Sequence, residues 1–531
     1  MKSSTDLTDE PKFLLQESLR EYLQDHYLEL TPNGKFVRWH SENPKHPRNW
    51  SFTRKVFDVG LVCILDLFIT ASSTAGAAAA AEAKHDYRLQ PTFATFCFVT
   101  LFLLGQCVGS LVFPPWTESF GRKNMYIVSS GLSCICCIVI GSVHSLGAAI
   151  AMRVTAGLLS AVPGTVVGGS IEDMFNSQAR IWVIFGWTVA SNIGLIVGPI
   201  MSSYIIELIN WYATIIVPFP AAFYSHIVSR RWVFYIYAII LGCITGLLFF
   251  IRESRSSYVL AREVEKLGRE VQPMPPPLNH DHSPDMRTFV REALFRPAQL
   301  FVGEPIIFTI AMMVSIAMSL IYIFTEALQP IYQSMGFSAS QASLIFMAIG
   351  LGTCISTFTR ILDSHLFEKK RRTGKPIKPE DKLLGLAIGA PFLAIGLWWF
   401  GWTIPPMVQS PQIPWIVPTL ALVLVGYALT ELDTVLYGYI SDSYLSYSAS
   451  ATATVAFMRG LLSGVAPLFT KQMFNGLGAN VAVSILAGVA TVFCIAPPLF
   501  LCYGERIRRR SRFARYSWEI QEEMGKDKDE L

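Results

Sequence analysis

Long apolar runs alternate with short polar ones along almost the whole chain. Twelve of them, at about 56–80, 92–113, 124–143, 147–169, 181–206, 232–251, 305–328, 339–359, 383–402, 414–437, 451–470 and 479–502, are each long enough to cross a bilayer. The hydrocarbon core takes roughly 20 apolar residues per helix. In lipid every backbone N–H and C=O must be satisfied within its own segment, so the runs predict helices. The even number and the polar break after the sixth run predict an all-α membrane protein. Its twelve transmembrane helices should form two six-helix bundles packed around a central path. The expected divisions are an N-terminal segment 1–55, a first bundle 56–251, a central loop 252–304, a second bundle 305–502 and a tail 503–531.

Composition agrees: 52% of residues are hydrophobic and 15% charged, against roughly 25% charged in soluble domains. The net charge of +4 says little, but its distribution sets an orientation. Lys and Arg crowd the N-terminal segment (Lys45, Arg48, Arg54, Lys55), the loop after the second run (Arg122, Lys123) and the central loop from Arg252 to Arg296. They recur after the eighth run (Lys369, Lys370, Arg371, Arg372, Lys375, Lys378, Lys382) and in the tail (Arg506, Arg508, Arg509, Arg510). The opposite loops, such as 403–414, are nearly free of them. Positive charge stays on the cytoplasmic side, so both termini are expected to be cytoplasmic. The basic tail could also attract anionic lipid. Residues 1–55 lack the apolar core of a secretory signal, which leaves the first span as the expected targeting signal. The terminal Lys528-Asp529-Glu530-Leu531 matches a luminal retention signal. On a cytoplasmic tail it would not be read.

Nine of the ten cysteines fall inside the apolar runs and Cys502 ends the last, which implies buried small residues rather than a disulfide framework. Cys134, Cys136 and Cys137 do not share one helical face, so no metal site is expected of them. The central loop holds Met274-Pro275-Pro276-Pro277 and His280-Asp281-His282. Two histidines in a proline-rich linker are a weak metal signal. A hinge with a short amphipathic helix over Val259–Glu270 is the reading preferred there. Neither a nucleophile elbow nor a phosphate-cradling loop is found, so the chain is not expected to be an enzyme, and no cofactor is implied.

The loop after the second run reads Gly109-Ser-Leu-Val-Phe-Pro-Pro-Trp-Thr-Glu-Ser-Phe-Gly-Arg-Lys123. Here Gly121-Arg122-Lys123 open the next helix and Glu118 could pair with a base or an exposed helix N-terminus. The fourth run carries Arg153-Val-Thr-Ala-Gly157, then Gly164, Gly168, Gly169, Ile171, Glu172 and Asp173. The fifth carries Gly194-Leu-Ile-Val-Gly198-Pro199. Together these resemble the signatures of the major facilitator superfamily, specifically the fungal twelve-span drug:proton antiporters that include polyamine and azole exporters. The lead-in Asn43-Pro44…Pro47-Arg48-Asn49-Trp50-Ser51 and the later stretches Phe324-Thr-Glu326-Ala, Tyr332…Gly336-Phe337-Ser338 and Pro379-Glu380-Asp381-Lys382-Leu383 follow the same family pattern. So do Tyr444…Ser448-Ala449-Ser450-Ala451…Arg459, Pro467-Leu468-Phe469 and Gly504-Glu505-Arg506-Ile507-Arg508, so the resemblance covers roughly 43–515. It implies the major facilitator fold. The chain departs at Ser110, where proline is usual, at Lys123, and around the antiporter motif, where Ser191-Asn192 and Met201-Ser202-Ser203 flank the glycines. The largest departure is an atypical insert at 212–230, between Asn210-Trp211 and Arg231-Trp232. Its apolar stretch 214–224 is too short to span. An intron retained in frame and a re-entrant insert are the two readings of it.

Ionisable groups inside spans are functional candidates by default. Arg153 resembles the family's arginine implicated in proton coupling, with a helix-end arginine reaching for the interface as the bland alternative. Glu326 matches the family's acid near the outer end of the seventh span and could exchange a proton for a cation, or be a wetted rim charge. Asp66 lies mid-span in the first helix and could be a substrate or proton site, or a hydrogen-bonded structural acid. Glu431, Asp433 and Tyr437 in the tenth span form a polar-aromatic strip, with 433, 437 and 440 on one face. Asp442 should mark the helix end, and Asn192 is a further polar candidate. Gly109, Glu118, Gly121, Arg122, Lys123, Gly157, Gly194, Gly198 and Pro199 are the expected gating positions, where small residues let helices approach closely and proline loosens them.

The expected function is secondary active transport, a proton entering as a small organic molecule leaves. A symporter or facilitator for a nutrient or organic acid, and a non-transporting membrane sensor, are the alternatives. The expected partners are the substrate, protons and lipid, with no nucleic acid, and the protein should be a monomer. The plasma membrane is the expected location and the vacuolar membrane the alternative.

Overall fold

In a computed structural model, residues 19–31, 35–216, 222–269, 274–277, 295–373, 379–405, 413–444, 448–511 and 513 are described. Twelve helices among them are long and apolar enough to cross a membrane. In the first half these are α1 (Phe52–Asp86), α2 (Leu101–Phe120), α3 (Arg122–Ser142), α4 (Leu146–Met174), α5 (Ser177–Ile216) and α6 (Ala222–Leu248). In the second they are α7 (Pro305–Gln333), α8 (Phe346–Arg372), α9 (Leu384–Thr403), α10 (Ile416–Ser443), α11 (Ser448–Leu477) and α12 (Ala479–Phe493), which Ala496–Arg510 continues. The chain enters α2 through Pro91–Thr95 and a π-helical turn at Phe96–Thr100, and α8 through Ala339–Ser343. An even number of crossings returns the chain to the side it started from.

Burial sorts the helices. The most apolar stretches of α7 and α10 are each 78% buried inside the protein, against 33% for α12. The first two therefore pack at the centre, and α12 shows most of its surface to lipid. Of the apolar cores, one lies within the first half, and the largest fills the second and reaches across to Phe102, Leu195 and Ile196 of the first. The former runs through Leu65, Val162, Val167 and Tyr237, the latter through Ile310, Leu328, Leu393, Leu432 and Val483.

Small residues set the helix spacing. A Cβ on Gly157 would stand 2.0 Å from the Phe102 carbonyl oxygen, and one on Gly109 would stand 2.3 Å from that of Leu158. The backbones of α2 and α4 thus touch, which only glycine allows. Gly194 and Gly198 bring α5 against α1 in the same way, at 2.3 Å from the carbonyl oxygens of Leu67 and Ala71. Pro199 lies inside an unbroken α5.

Outside the membrane region, β1 (Leu28–Leu30) pairs antiparallel with β2 (Val37–Trp39). The hairpin rests on the helix Ser256–Leu267 through Leu23, Leu28, Val37, Leu260, Val264 and Leu267. Trp39 Nε1 donates to the Ser256 carbonyl at 3.2 Å, and Lys45 pairs with Glu263 at 2.7 Å. The amphipathic helix expected at 259–270 is present with its start three residues earlier, and it packs against the hairpin. His280 to His282 and Lys528 to Leu531 lie outside the described residues.

The insert continues two helices. Residues 212–216 extend α5, which reaches 40 residues, and 222–230 open α6. At ~1.5 Å per residue α5 is about 60 Å long, roughly twice the hydrocarbon thickness.

Candidate functional site

The acids and bases placed within the spans gather into two buried groups. Asp66, on α1 and 1% exposed, accepts from Trp187 Nε1 of α5 at 2.8 Å. Ser191 hydrogen-bonds it as well, and the charge of Arg459 acts on it through space. Arg459, on α11, stands 3.9 Å from Asp433 and over the Tyr437 ring at 6.0 Å from its centroid. Its guanidinium also faces Tyr322 of α7, whose hydroxyl hydrogen-bonds Ser73 of α1 at 2.9 Å. The arginine side chain is 29% exposed, although it lies eleven residues inside a 30-residue helix. That opening is internal, since its charged neighbours all belong to the bundle. Asn192 of α5 donates to Thr430 of α10 at 3.4 Å, joining the two halves beside this group. Asp433 Oδ1 has no hydrogen-bond donor.

Among the described residues Asp433 and, through space, Asp66 act on Arg459, with Trp187, Tyr322 and Tyr437 beside them; Arg153 also acts on Tyr322 through space. Aromatic faces and a carboxylate oxygen left without a donor, here Asp433 Oδ1, both attract an organic cation.

Glu431 belongs elsewhere. It points away from Asp433, toward α8 and α9, where Arg360 Nη2 donates to its Oε2 at 2.8 Å. Arg360 Nη1 also lies 3.0 Å from Asp363 Oδ2. A Cβ on Gly385 would overlap Glu431 Oε2 at 2.0 Å, so α9 leaves the carboxylate its room.

Arg153 is 1% exposed and is no helix-end side chain. Its Nε donates to the Phe98 carbonyl at 2.8 Å, Nη2 reaches the same oxygen, and Nη1 lies 3.5 Å from the Ser72 carbonyl. The guanidinium also covers the rings of Phe102, at 4.7 Å, and Phe234, at 5.5 Å. Among the described residues no carboxylate pairs with it. It ties α1, α2, α4 and α6 together.

Glu326 bonds across the halves. Its carboxylate pairs with Lys471 of α11 at 2.9 Å and accepts from Thr95 at 3.4 Å. Gln472 donates to Thr92 at 2.8 Å, Thr100 donates to the Gly464 carbonyl at 2.7 Å, and Cys107 Sγ lies 3.2 Å from the Phe457 carbonyl. These contacts zip α2 to α11 from the end away from the termini to past mid-depth.

On the side of the termini, each half has its own clasp. Gly121 turns at φ +81°, a left-handed conformation that favours glycine. The first N–H groups of α3, on Arg122 and Lys123, donate to Glu253 at 2.9 and 3.0 Å. A carboxylate at a helix N-terminus is a favourable pairing. Arg122 reaches Asp173 at 3.2 Å, and Lys123 Nζ donates to the Phe249 carbonyl at 2.8 Å. The acid at the start of α3 is therefore Glu253; the side chain of Glu118 lies outside the described part. In the second half Arg508 grips Glu380 at 2.5 and 2.7 Å, and Lys382 pairs with Asp442 at 2.5 Å in the last turn of α10. All ten cysteines are free.

Arg459 was in the motifs but carried no role there, and Trp187, Arg360 and Asp363 carried none either. Arg360 and Asp363 lie past the end of the eighth apolar run at 359, and only the helix's continuation to Arg372 puts them inside the bundle; which acid each base meets depends on how the helices pack.

Twelve membrane-spanning helices in two halves around a charged, aromatic centre are the build of a membrane transporter. The Major Facilitator Superfamily model matches residues 61–467, and the chain belongs to that family. It is 28% identical over 517 residues to the MFS-type transporter penM of Penicillium rubens, covering 96% of this chain and 95% of that one. It is also 28% identical to the efflux pump radE of Floropilus chiversii, with 91% and 86% covered. The multidrug transporter TPO1_2 of Candida glabrata is likewise 28% identical, with 89% and 78% covered. Among solved structures, a D-xylose-proton symporter superposes with TM-score 0.57 at 14% identity, over 84% of this chain and 97% of that one. The human organic anion transporter MFSD10 gives 0.56 at 14% identity, over 84% and 100%. These two likenesses establish the fold.

Proposed function

We propose that the protein exports small organic molecules, such as drugs, toxins, polyamines or secondary metabolites, in exchange for protons. Molecules carrying a cationic group fit best. The observation that supports this is the make-up of the central group: the buried acids Asp66 and Asp433 lie about Arg459 beside Trp187, Tyr322 and Tyr437, and Asp433 keeps an oxygen without a donor. A cation and a proton compete for the same buried carboxylates, so one leaves as the other arrives. Relatives named as an efflux pump and a multidrug transporter support the direction. The basic loops support cytoplasmic termini, and the protein is proposed to act as a monomer in the plasma membrane.

The test uses a fungal host lacking its own pumps and expressing this chain. Growth against a panel of cationic, neutral and anionic toxins identifies substrates, and vesicles then measure their efflux with and without a protonophore. Selective resistance to cations and collapse of efflux on adding the protonophore are expected. Efflux that ignores the protonophore would reject proton coupling.

A further inference from the structure

Away from the central group, Arg360, Asp363 and Glu431 form a second set of charges that substrate binding does not explain. The side chains of Arg360, Asp363 and Glu431 are 7%, 2% and 0% exposed. One base again faces two acids. Glu431 Oε1 and both Asp363 oxygens lack a hydrogen-bond donor, although Asp363 lies within ion-pair distance of Arg360. Burying an uncompensated carboxylate is costly, and a proton removes the cost.

We propose that Asp363 and Glu431 share one exchangeable proton held against Arg360, and that its exchange alters how α8 packs on α5. The inference deepens the proton-coupled reading and rests on it for the purpose of the exchange. With the proton bound, one acid is a neutral carboxylic acid, the other a carboxylate, and the cluster is neutral. On release the O–H bond breaks, its electron pair stays on oxygen, the proton passes to water, and one negative charge remains.

Every element around Glu431 fits this assignment. From α8 it meets Arg360, Asp363 and the Thr359 hydroxyl, and on its own helix Tyr427, whose hydroxyl hydrogen-bonds Thr359 at 2.6 Å. α9 meets it with Gly385 and Gly389, which bring no charge. From α5, in the other half, the Phe185 ring lies 5.8 Å from the Arg360 guanidinium. Arg360 thus stands between two acids of the second half and an aromatic ring of the first. Losing the proton strengthens the pull of the acids and draws the guanidinium off the ring. Thr430, next to Glu431, carries the hydrogen bond from Asn192 and donates to Thr353 at 3.1 Å, so the change also borders the central group.

Infrared spectra of the purified full-length protein, taken across pH, test the shared proton. Asp66 and Asp433 contribute their own carboxyl bands in every variant, so the readout is the difference. Wild type minus Glu431→Gln, and wild type minus Asp363→Asn, should each show a protonated-carboxyl band that titrates, each variant checked by gel filtration. Two variants guard against one failing to fold. A cysteine introduced by Phe185→Cys in a background without the native cysteines tests the packing. Its alkylation by N-ethylmaleimide is divided at each pH by that of a small free thiol, which removes ordinary thiol ionisation. The ratio should change with pH by at least about fivefold, the low end of typical two-site coupling, and become flat when Glu431→Gln is added. A wild-type-minus-variant difference spectrum with no titrating carboxyl band for either variant, or alkylation whose pH dependence ignores Glu431, would overturn the proposal. Because these readouts need no substrate, they stand apart from the efflux test: protonophore-insensitive efflux defeats the coupling, and the band still decides whether the proton is there.

Discussion

Trp187 and Asp66 show how much one hydrogen bond decides at the residue scale. The indole N–H donates to a carboxylate that is 1% exposed. Trp187→Phe keeps the ring and removes the donor. A hydrogen bond to a charged group contributes roughly 1.5–3 kcal/mol, so cation affinity should shift by about tenfold or more in a binding titration of the purified protein. Unchanged affinity would remove Asp66 from the binding group. Glycine positions separate into packing and spacer residues by the same reasoning. Gly194→Ala places a methyl 2.0 Å from Thr70 Oγ1 and 2.3 Å from a backbone oxygen, whereas a Cβ on Gly186 meets nothing within 4 Å. Overpacking of that kind typically costs about 1–3 kcal/mol. The first substitution should lower the melting temperature in detergent and the second should leave it unchanged. Asp66 and Asp433 were legible in the sequence because a bare acid in an apolar run is conspicuous. Arg459 was visible only as part of a motif, since its two acids lie on other helices. Arg153 was legible as important, but its partners are carbonyl oxygens and rings, which no residue pattern announces.

At the scale of elements, the number and order of the spans were readable because lipid demands a long apolar run and nothing else supplies one. Not all their ends were: the eighth run stops at 359 while its helix continues with charged residues to Arg372. The insert was readable as a departure, but its form was not, because an apolar stretch of that length suits either a loop or a helix extension. α5 reaches about 60 Å with it, roughly twice what the bilayer needs. Deleting 212–230 should therefore leave surface expression and efflux at or above the level of the full chain; loss of both would show that the extension supports the fold. The N-terminal hairpin depends on a different balance. Burial opposes ionisation of Glu263, but Lys45 and Lys266 outweigh it and hold the carboxyl below its ordinary range. A lowered folded-state value means that the pair favours docking above the ordinary carboxylate range, near pH 4.3, and that the contribution fades as pH falls through the lowered value. Lys45 is mostly exposed, so the effect is small and screened by salt. Limited proteolysis of the first 50 residues should accelerate toward acid and in Lys45→Glu.

At the scale of the whole molecule, the zipper between α2 and α11 joins the halves at the end away from the termini, and contacts of α5 with α8 and α10 and of α1 with α7 join them elsewhere. Thr92–Gln472, Thr95–Glu326 with Lys471, Thr100–Gly464 and Cys107–Phe457 follow one another inward from the end away from the termini. The clasps Arg122–Asp173 and Glu380–Arg508 at the other end each stay within one half. Cross-half bonds at one end and within-half bonds at the other are what a molecule sealed on the far side requires. To release substrate there, the zipper must part while the central group changes partners, which is the rocking expected of two packed bundles. Cysteines at Thr92 and Gln472, in a background where the ten native cysteines are replaced, put this to a direct test. Oxidation should join α2 to α11 and abolish efflux, and reduction should restore it, while binding of the cation from the side of the termini survives in both states. Efflux that continues through the closed crosslink would mean that substrate leaves by another route and that the two halves do not rock about this seam.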